Sequence, residues 1–276
     1  MSYLLAATDF SPAAENALHY ACQLAQDSHL SLTILHSFMI PVSFGDNPMP
    51  VMIANDGREA AEERLEMLAS SLKLQYPLLS IATQVSYGDI VDVLEEKIQQ
   101  QQPVMIVLGN DGEEGDLTWL GSNLISAMRH LKVPVLSVPF QYHYKKVERI
   151  CYSCDFKNND DTGLAQDIKT MITVTRSQLH VLYIDKNNNE SSEEQLLAME
   201  SSAMHNSLKE SSPVYHFVEK DSIETGVADF VNDNGIDWLI IIPHKHSLLD
   251  NFFKKSHTKS LVKKIEIPLL ALHEHY

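Results

Sequence analysis

The sequence predicts an α/β protein made of two similar parallel-stranded domains, and three observations lead there. First, an apolar run ending in an acid and an aromatic, Leu4-Leu5-Ala6-Ala7-Thr8-Asp9-Phe10, returns as Ile150-Cys151-Tyr152-Ser153-Cys154-Asp155-Phe156. Second, the same order of segments follows each copy. An amphipathic stretch comes next, then a second apolar run (Leu30 to Phe38; Gln178 to Ile184) and a third far downstream (Val104 to Leu108; Trp238 to Ile242). A last run follows a Val-Pro or Ile-Pro (Pro134 to Val138; Pro268 to Leu272). Short, wholly apolar runs alternating with helical stretches are how strands covered on both faces read in a chain. Third, at 276 residues the repeat divides the chain into halves that are each long enough to bury a core of their own.

In the first half, Ser11 before Pro12 reads as a helix cap and first helical residue, and Ala14, Ala17, Leu18, Ala21, Cys22 and Ala25 supply the apolar stripe. Pro41 to Asp56, with Pro41, Gly45, Pro48 and Pro50, reads as a loop. A second helix carries Ala61, Leu65, Leu68 and Leu72 at helical spacing. Ile81 to Val85 is a third strand and Ile90 to Ile98 a third helix, and Val104 to Leu108 and Pro134 to Val138 complete five strands. The second half follows suit: strand Glu148 to Ser153, helix Thr162 to Val174, strand Leu179 to Ile184. A polar loop from Lys186 to Glu194 precedes strands at Val214 to Val218, Trp238 to Ile242 and Pro268 to Leu272. The polar stretch Gln141 to Lys146 separates the halves, giving domains 1–144 and 145–276.

Composition removes several function classes. A net charge of −16 opposes general nucleic-acid binding, because the phosphate backbone would be repelled. No apolar run approaches the ~20 residues of a membrane span, and Met1-Ser2-Tyr3-Leu4 lacks the basic start of a signal peptide. Three cysteines, an odd and small set, suit a reducing compartment, so the expectation is a cytoplasmic protein. Cys151 and Cys154 fall within one strand, where i and i+3 side chains point to opposite faces, and no second pair exists; they read as buried small side chains. The pairs His244/His246 and His273/His275 lie past a strand end and at the terminus, and neither is assigned a metal. No Gly-x-Ser-x-Gly elbow or paired nucleophile and base is visible, so no catalytic residue is assigned and a turnover enzyme is not expected.

Between the fourth strand and the last helix of the first half lies Leu108-Gly109-Asn110-Asp111-Gly112, followed by Leu120-Gly121-Ser122-Asn123. Glycine lets a backbone approach a phosphate closely, and a serine at a helix N-terminus stands where free N–H groups attract anions. Together with Thr8-Asp9-Phe10-Ser11, Leu35-His36 and Val133-Pro134-Val135-Leu136, these segments resemble the universal stress protein family in a tandem, two-domain form. The resemblance implies, for each half, an open five-stranded parallel sheet of Rossmann-like kind with helices on both faces, packed with the other half as a pseudo-dimer. It also implies a site for ATP or a related adenine nucleotide. By it, Asp9 would face the ribose or adenine, Gly109 and Gly112 would pass under the phosphates, and Gly121, Ser122 and Asn123 would close the site. The family's spacing, Gly-x2-Gly-x9-Gly-(Ser/Thr), is one residue shorter here, because only residues 113–120 separate Gly112 from Gly121. Family dimers commonly join through their last strands, so Pro134 to Val138 and Pro268 to Leu272 are expected to meet, each covering an apolar edge.

Charge divides the two halves. Asp111, Glu113, Glu114 and Asp116 place four carboxylates in the first glycine loop, so a bound nucleotide would call for a cation such as Mg²⁺. The corresponding second-half segment, from His244 to Lys259, has no glycine but carries Lys245, Lys254, Lys255, Lys259 and Phe252, which suggests an anion or partner patch at Lys245, Phe252, Lys254 and Lys255. Three readings stay open: a nucleotide-responsive regulator with an unknown protein partner, a nucleotide-free interaction scaffold, and a weak ATP hydrolase. A further homodimer is compatible with all three.

Overall fold

Parallel strands covered on both faces must be apolar throughout, and in the computed structural model, which describes residues 2–39, 49–111, 119–154, 162–185, 191–243 and 265–273, the apolar runs become such strands. The chain divides into two compact units, Met1–Tyr144 and Lys145–Tyr276.

The first unit runs β1 (Tyr3–Ala7), α1 (Pro12–Asp27), β2 (Ser31–Phe38), α2 (Met49–Gln75), β3 (Ile81–Tyr87), α3 (Ile90–Gln101), β4 (Met105–Asn110), α4 (Trp119–His130) and β5 (Val135–Pro139). Its strands lie in the order β3-β2-β1-β4-β5, all parallel. β1 sits centrally, with Leu4 paired to Leu32 on one side and Met105 on the other, and every one of its residues is buried. The Ser11 hydroxyl accepts from the Ala14 amide at 3.2 Å and Pro12 opens the helix, so α1 starts where the sequence places it. Leu18, Ala21, Cys22 and Ala25 are buried.

The second unit repeats the arrangement. It runs β6 (Arg149–Ser153), α5 (Thr162–Thr175), β7 (Gln178–Asp185), α6 (Ser192–Ser201), α7 (Ala203–Leu208), β8 (Val214–Glu219), α8 (Ile223–Asp233), β9 (Trp238–Ile241) and β10 (Leu269–Ala271). The order is β8-β7-β6-β9-β10, again parallel throughout. Asp237, one residue before β9, accepts from the amides of Glu148 (2.8 Å) and Arg149 (2.9 Å) and pairs with Lys145 at 2.8 Å. One buried carboxylate thus anchors the start of the unit.

Two expected loops are shorter than the sequence suggests. Helix α2 begins at Met49 inside the Pro41–Asp56 stretch, because Pro50 falls in the first turn, where its missing N–H removes no helical bond. Helix α6 begins inside the Lys186–Glu194 stretch. There the Ser191 hydroxyl accepts from the Glu194 amide, and the Glu194 side chain accepts from the Ser191 amide, so the polar residues form a capping box. No helix among the described residues is long and apolar enough to cross a membrane.

Candidate functional site

In an open parallel sheet, a crevice opens at the strand C-termini where the order reverses, because flanking connections leave to opposite faces. In the first unit that place lies between β1 and β4, so it is bordered by Thr8-Asp9-Phe10 and by Gly109-Asn110-Asp111.

The β1 side is a tight polar turn. The Thr8 amide extends the ladder to the Leu35 carbonyl at 2.9 Å, its hydroxyl accepts from the Phe10 amide at 3.0 Å, and Asp9 Oδ1 accepts from the Ser11 amide at 2.9 Å. Asp9 Oδ2 has no protein partner among the described residues and is an acceptor for a ligand hydroxyl or amine. Phe10 adopts a φ of 63°, an uncommon conformation for a bulky residue that costs on the order of 1 to 3 kcal/mol. Its amide is tied to the Thr8 hydroxyl, and its ring has two neighbours. The His36 ring lies 4.5 Å away, and the Arg64 guanidinium carbon sits 4.2 Å from the ring centroid. His36 Nδ1 lies 2.7 Å from the Thr8 carbonyl, which can only accept, so Nδ1 carries the proton.

On the β4 side, the structure gives Gly109 a reason the sequence did not. A Cβ built there would lie 2.5 Å from the Ala13 carbonyl oxygen and 2.8 Å from the Ala14 amide nitrogen. Gly109 is where the first turn of α1 rests on β4, so its missing side chain serves helix–strand approach. Counting register from β1 and β6, the residue equivalent to Gly109 in the second unit is Ile242, which excludes the same approach there. Asn110 ends β4, and its carbonyl accepts from the Phe140 amide at 2.7 Å.

Of the other expected site residues, Gly121, Ser122 and Asn123 lie in the first described turns of α4. Gly112 lies outside the described residues, as do Glu113, Glu114 and Asp116. The patch at Lys245, Phe252, Lys254 and Lys255 also lies outside them. Among the described residues no three His, Cys, Asp or Glu side chains are grouped to hold a metal. Cys22, Cys151 and Cys154 are buried free thiols; burial pushes Cys22 up to about 12 and Cys151 upward as well, so neither supplies a thiolate.

Arg64 is the residue the sequence reading missed. Its signal is helical register. Arg58 finds Glu62 four residues on, at 2.7 Å, whereas the positions three and four from Arg64 are Ala60, Ala61, Met67 and Leu68.

The second unit carries a titratable pair away from its strand C-termini. His180 Nδ1 on β7 lies 3.0 Å from His216 Nε2 on β8, with rings nearly parallel at 7° and Phe230 of α8 4.6 Å from the His216 ring. Burial lowers both pKa values, and for His180 the charges of His216 and Arg149 lower it further. Folded-state values below the ordinary 6.5 mean that the folded unit binds fewer protons than the unfolded chain. This stabilising contribution is present above pH 6.5 and is lost as pH falls through 6.5 and then through the folded values. The thermal midpoint of the second unit is expected to drop between pH 7 and pH 5, and His216→Phe should flatten that dependence in a pH series of melts.

The comparisons with known proteins follow the same outline. Residues 2–139 match the model of the universal stress protein family. A universal stress protein from Archaeoglobus fulgidus DSM 4304 superposes with a TM-score of 0.69 at 12% identity, covering 99% of this chain and 98% of that one. A functionally unknown protein from Pseudomonas aeruginosa PAO1 superposes at 0.57 with 14% identity, covering 99% and 93%. A universal stress protein in complex with cAMP matches 50% of this chain and 96% of that one at 23% identity, with a TM-score of 0.39. No curated protein matches the chain. At such identities the first two likenesses speak for the fold.

Proposed function

The chain belongs to the universal stress protein family, and from that premise we propose that it is a regulator that binds one adenine nucleotide, in its first unit, and passes that state to a protein partner. The observation that supports this reading most is the crevice between β1 and β4. It offers an open carboxylate oxygen on Asp9, and α4, the helix that follows β4, carries Gly121, Ser122 and Asn123 in its first described turns. A bound nucleotide would supply a recognisable ligand rather than chemistry. Asp9 would accept from its ribose or base, and Gly109, Gly112 and Gly121 to Asn123 would line its phosphate side. The second unit has Ile242 and Pro243 where the first has Gly109 and Asn110, which supports a single site of this type and leaves the lysine patch of the second unit for an anionic ligand or partner.

Two properties follow for the nucleotide. The loop carboxylates Asp111, Glu113, Glu114 and Asp116 oppose phosphate, so a Mg²⁺ ion would be part of the complex; these carboxylates would hold it, and it would offset their charge. Acid extraction of the purified chain should then release an adenine nucleotide absorbing at 260 nm, and calorimetry should show ATP binding weakened when EDTA replaces Mg²⁺. Equal affinity in EDTA would remove the cation. The shortened interval between Gly112 and Gly121 favours a second reading, a cytoplasmic interaction scaffold without nucleotide. Absence of both extracted and titrated nucleotide would favour that one.

A further inference from the structure

In the second unit β8 is the terminal strand, hydrogen-bonded to β7 on one side. His180 of β7 stands opposite Val214, so His216 lies two residues further along β8 and on the same face of the sheet. The 3.0 Å contact from His180 Nδ1 to His216 Nε2 is a side-chain bond between the two strands in addition to their ladder. We infer that this pair is an acid-released latch: as pH falls below neutrality the second unit frees β8 locally, while the first unit keeps its own terminal strand.

The chemistry follows from the contact itself. A bond between two ring nitrogens needs one N–H and one lone pair, so at least one ring must be neutral. A first added proton puts a charge on a half-buried ring, with Phe230 4.6 Å from His216 and the Arg149 charge acting on His180. A second leaves two donors facing each other and two like charges at hydrogen-bond distance. No neighbouring element offers relief. Cys151 of β6 stands beside His180, and burial pushes its thiol up, so it stays neutral. Of the acids on α8, Glu224 accepts from the Ser222 hydroxyl at 2.6 Å, Asp229 pairs with Lys220 at 2.7 Å, and Asp233 is exposed. Asp185 of β7 and Tyr215 and Glu219 of β8 alternate to the opposite face. Among the described residues no carboxylate pairs with either ring. The first unit supplies the contrast: counted in register, Thr33 and Gln84 occupy the positions of His180 and His216, and neither side chain titrates.

Hydrogen–deuterium exchange of the full chain at pH 7 and pH 5, each corrected for the intrinsic exchange rate at that pH, reads the strands separately. Protection of β8 is expected to fall about fivefold or more at pH 5, the least that two like charges this close cost in water, whereas β6 and the first unit's β3 keep theirs. His216→Gln places the first unit's residue there, and its amide oxygen can accept from a charged His180, so β8 should stay protected at both pH values. His180→Thr combined with His216→Gln should likewise remove the pH dependence, whatever its protection at pH 7. A wild-type β8 as protected at pH 5 as at pH 7 overturns the latch, and that comparison stands without either variant. Acid exposure of β8 that persists in both variants, or that extends equally over β6 and β9, overturns it as well.

Discussion

Asp237→Ala is expected to destabilise the second unit by about 4 kcal/mol, the scale of leaving two backbone amides without their acceptor. Asp237 is 4% exposed, and one of its oxygens accepts from two consecutive amides, those of Glu148 and Arg149. Alanine leaves both amides unsatisfied at the start of β6, each costing about 1–3 kcal/mol when shut away from water. Lys145, whose side chain is half exposed, can turn to solvent and contributes little to the loss. Asp237→Asn separates the terms, because an amide oxygen can still accept from both N–H groups. It should retain most of the stability. Chemical denaturation of the two variants measures this, and equal losses would assign the effect to charge instead of to the backbone bonds.

Gly109→Val is expected to cost the first unit about 3 kcal/mol, at the upper end of what overpacking ordinarily costs. The atoms that a Cβ would strike belong to the backbone of Ala13 and Ala14, at 2.5 to 2.8 Å, and cannot rotate away as a side-chain tip can. Either α1 lifts from β4 or the strand end bends, and both disturb Asp9, which is tied to the same turn through the Ser11 amide. Even Gly109→Ala should lower the melting midpoint of the unit clearly. Loss of nucleotide binding in these variants would accordingly report the α1–β4 contact before any clash with a ligand, and a wild-type melting curve in Gly109→Ala would contradict the packing role.

The strands were legible because parallel strands covered on both faces leave no polar position to interrupt the run. Leu4 to Ala7, Met105 to Leu108 and Trp238 to Ile241 are buried at every residue, and the sequence shows them as unbroken apolar blocks. The start of α1 was legible for a different reason: Ser11 and Pro12 have one favourable arrangement together. Helix starts built from less distinctive residues were not. Pro50 is common to loops and to first helical turns, and Ser191 with Glu194 reads as a solvated segment until the reciprocal hydrogen bonds are seen. The site divides the same way. Asp9 and the glycines stand out locally, but the partner of Gly109 is a helix nearly a hundred residues earlier, and Arg64 matters only because the fold lays it on Phe10. Neither contact has a signature at short range.

One nucleotide site per chain, at the crevice that Asp9 borders, is the central expectation. Calorimetric titration of ATP with Mg²⁺ into the full chain, alongside Asp9→Ala, tests it most directly. The predicted result is saturable binding of one ATP per chain, weakened about tenfold or more in the variant, where a charged acceptor to the ligand is removed. Two ATP per chain, or one bound equally well by Asp9→Ala, would contradict it.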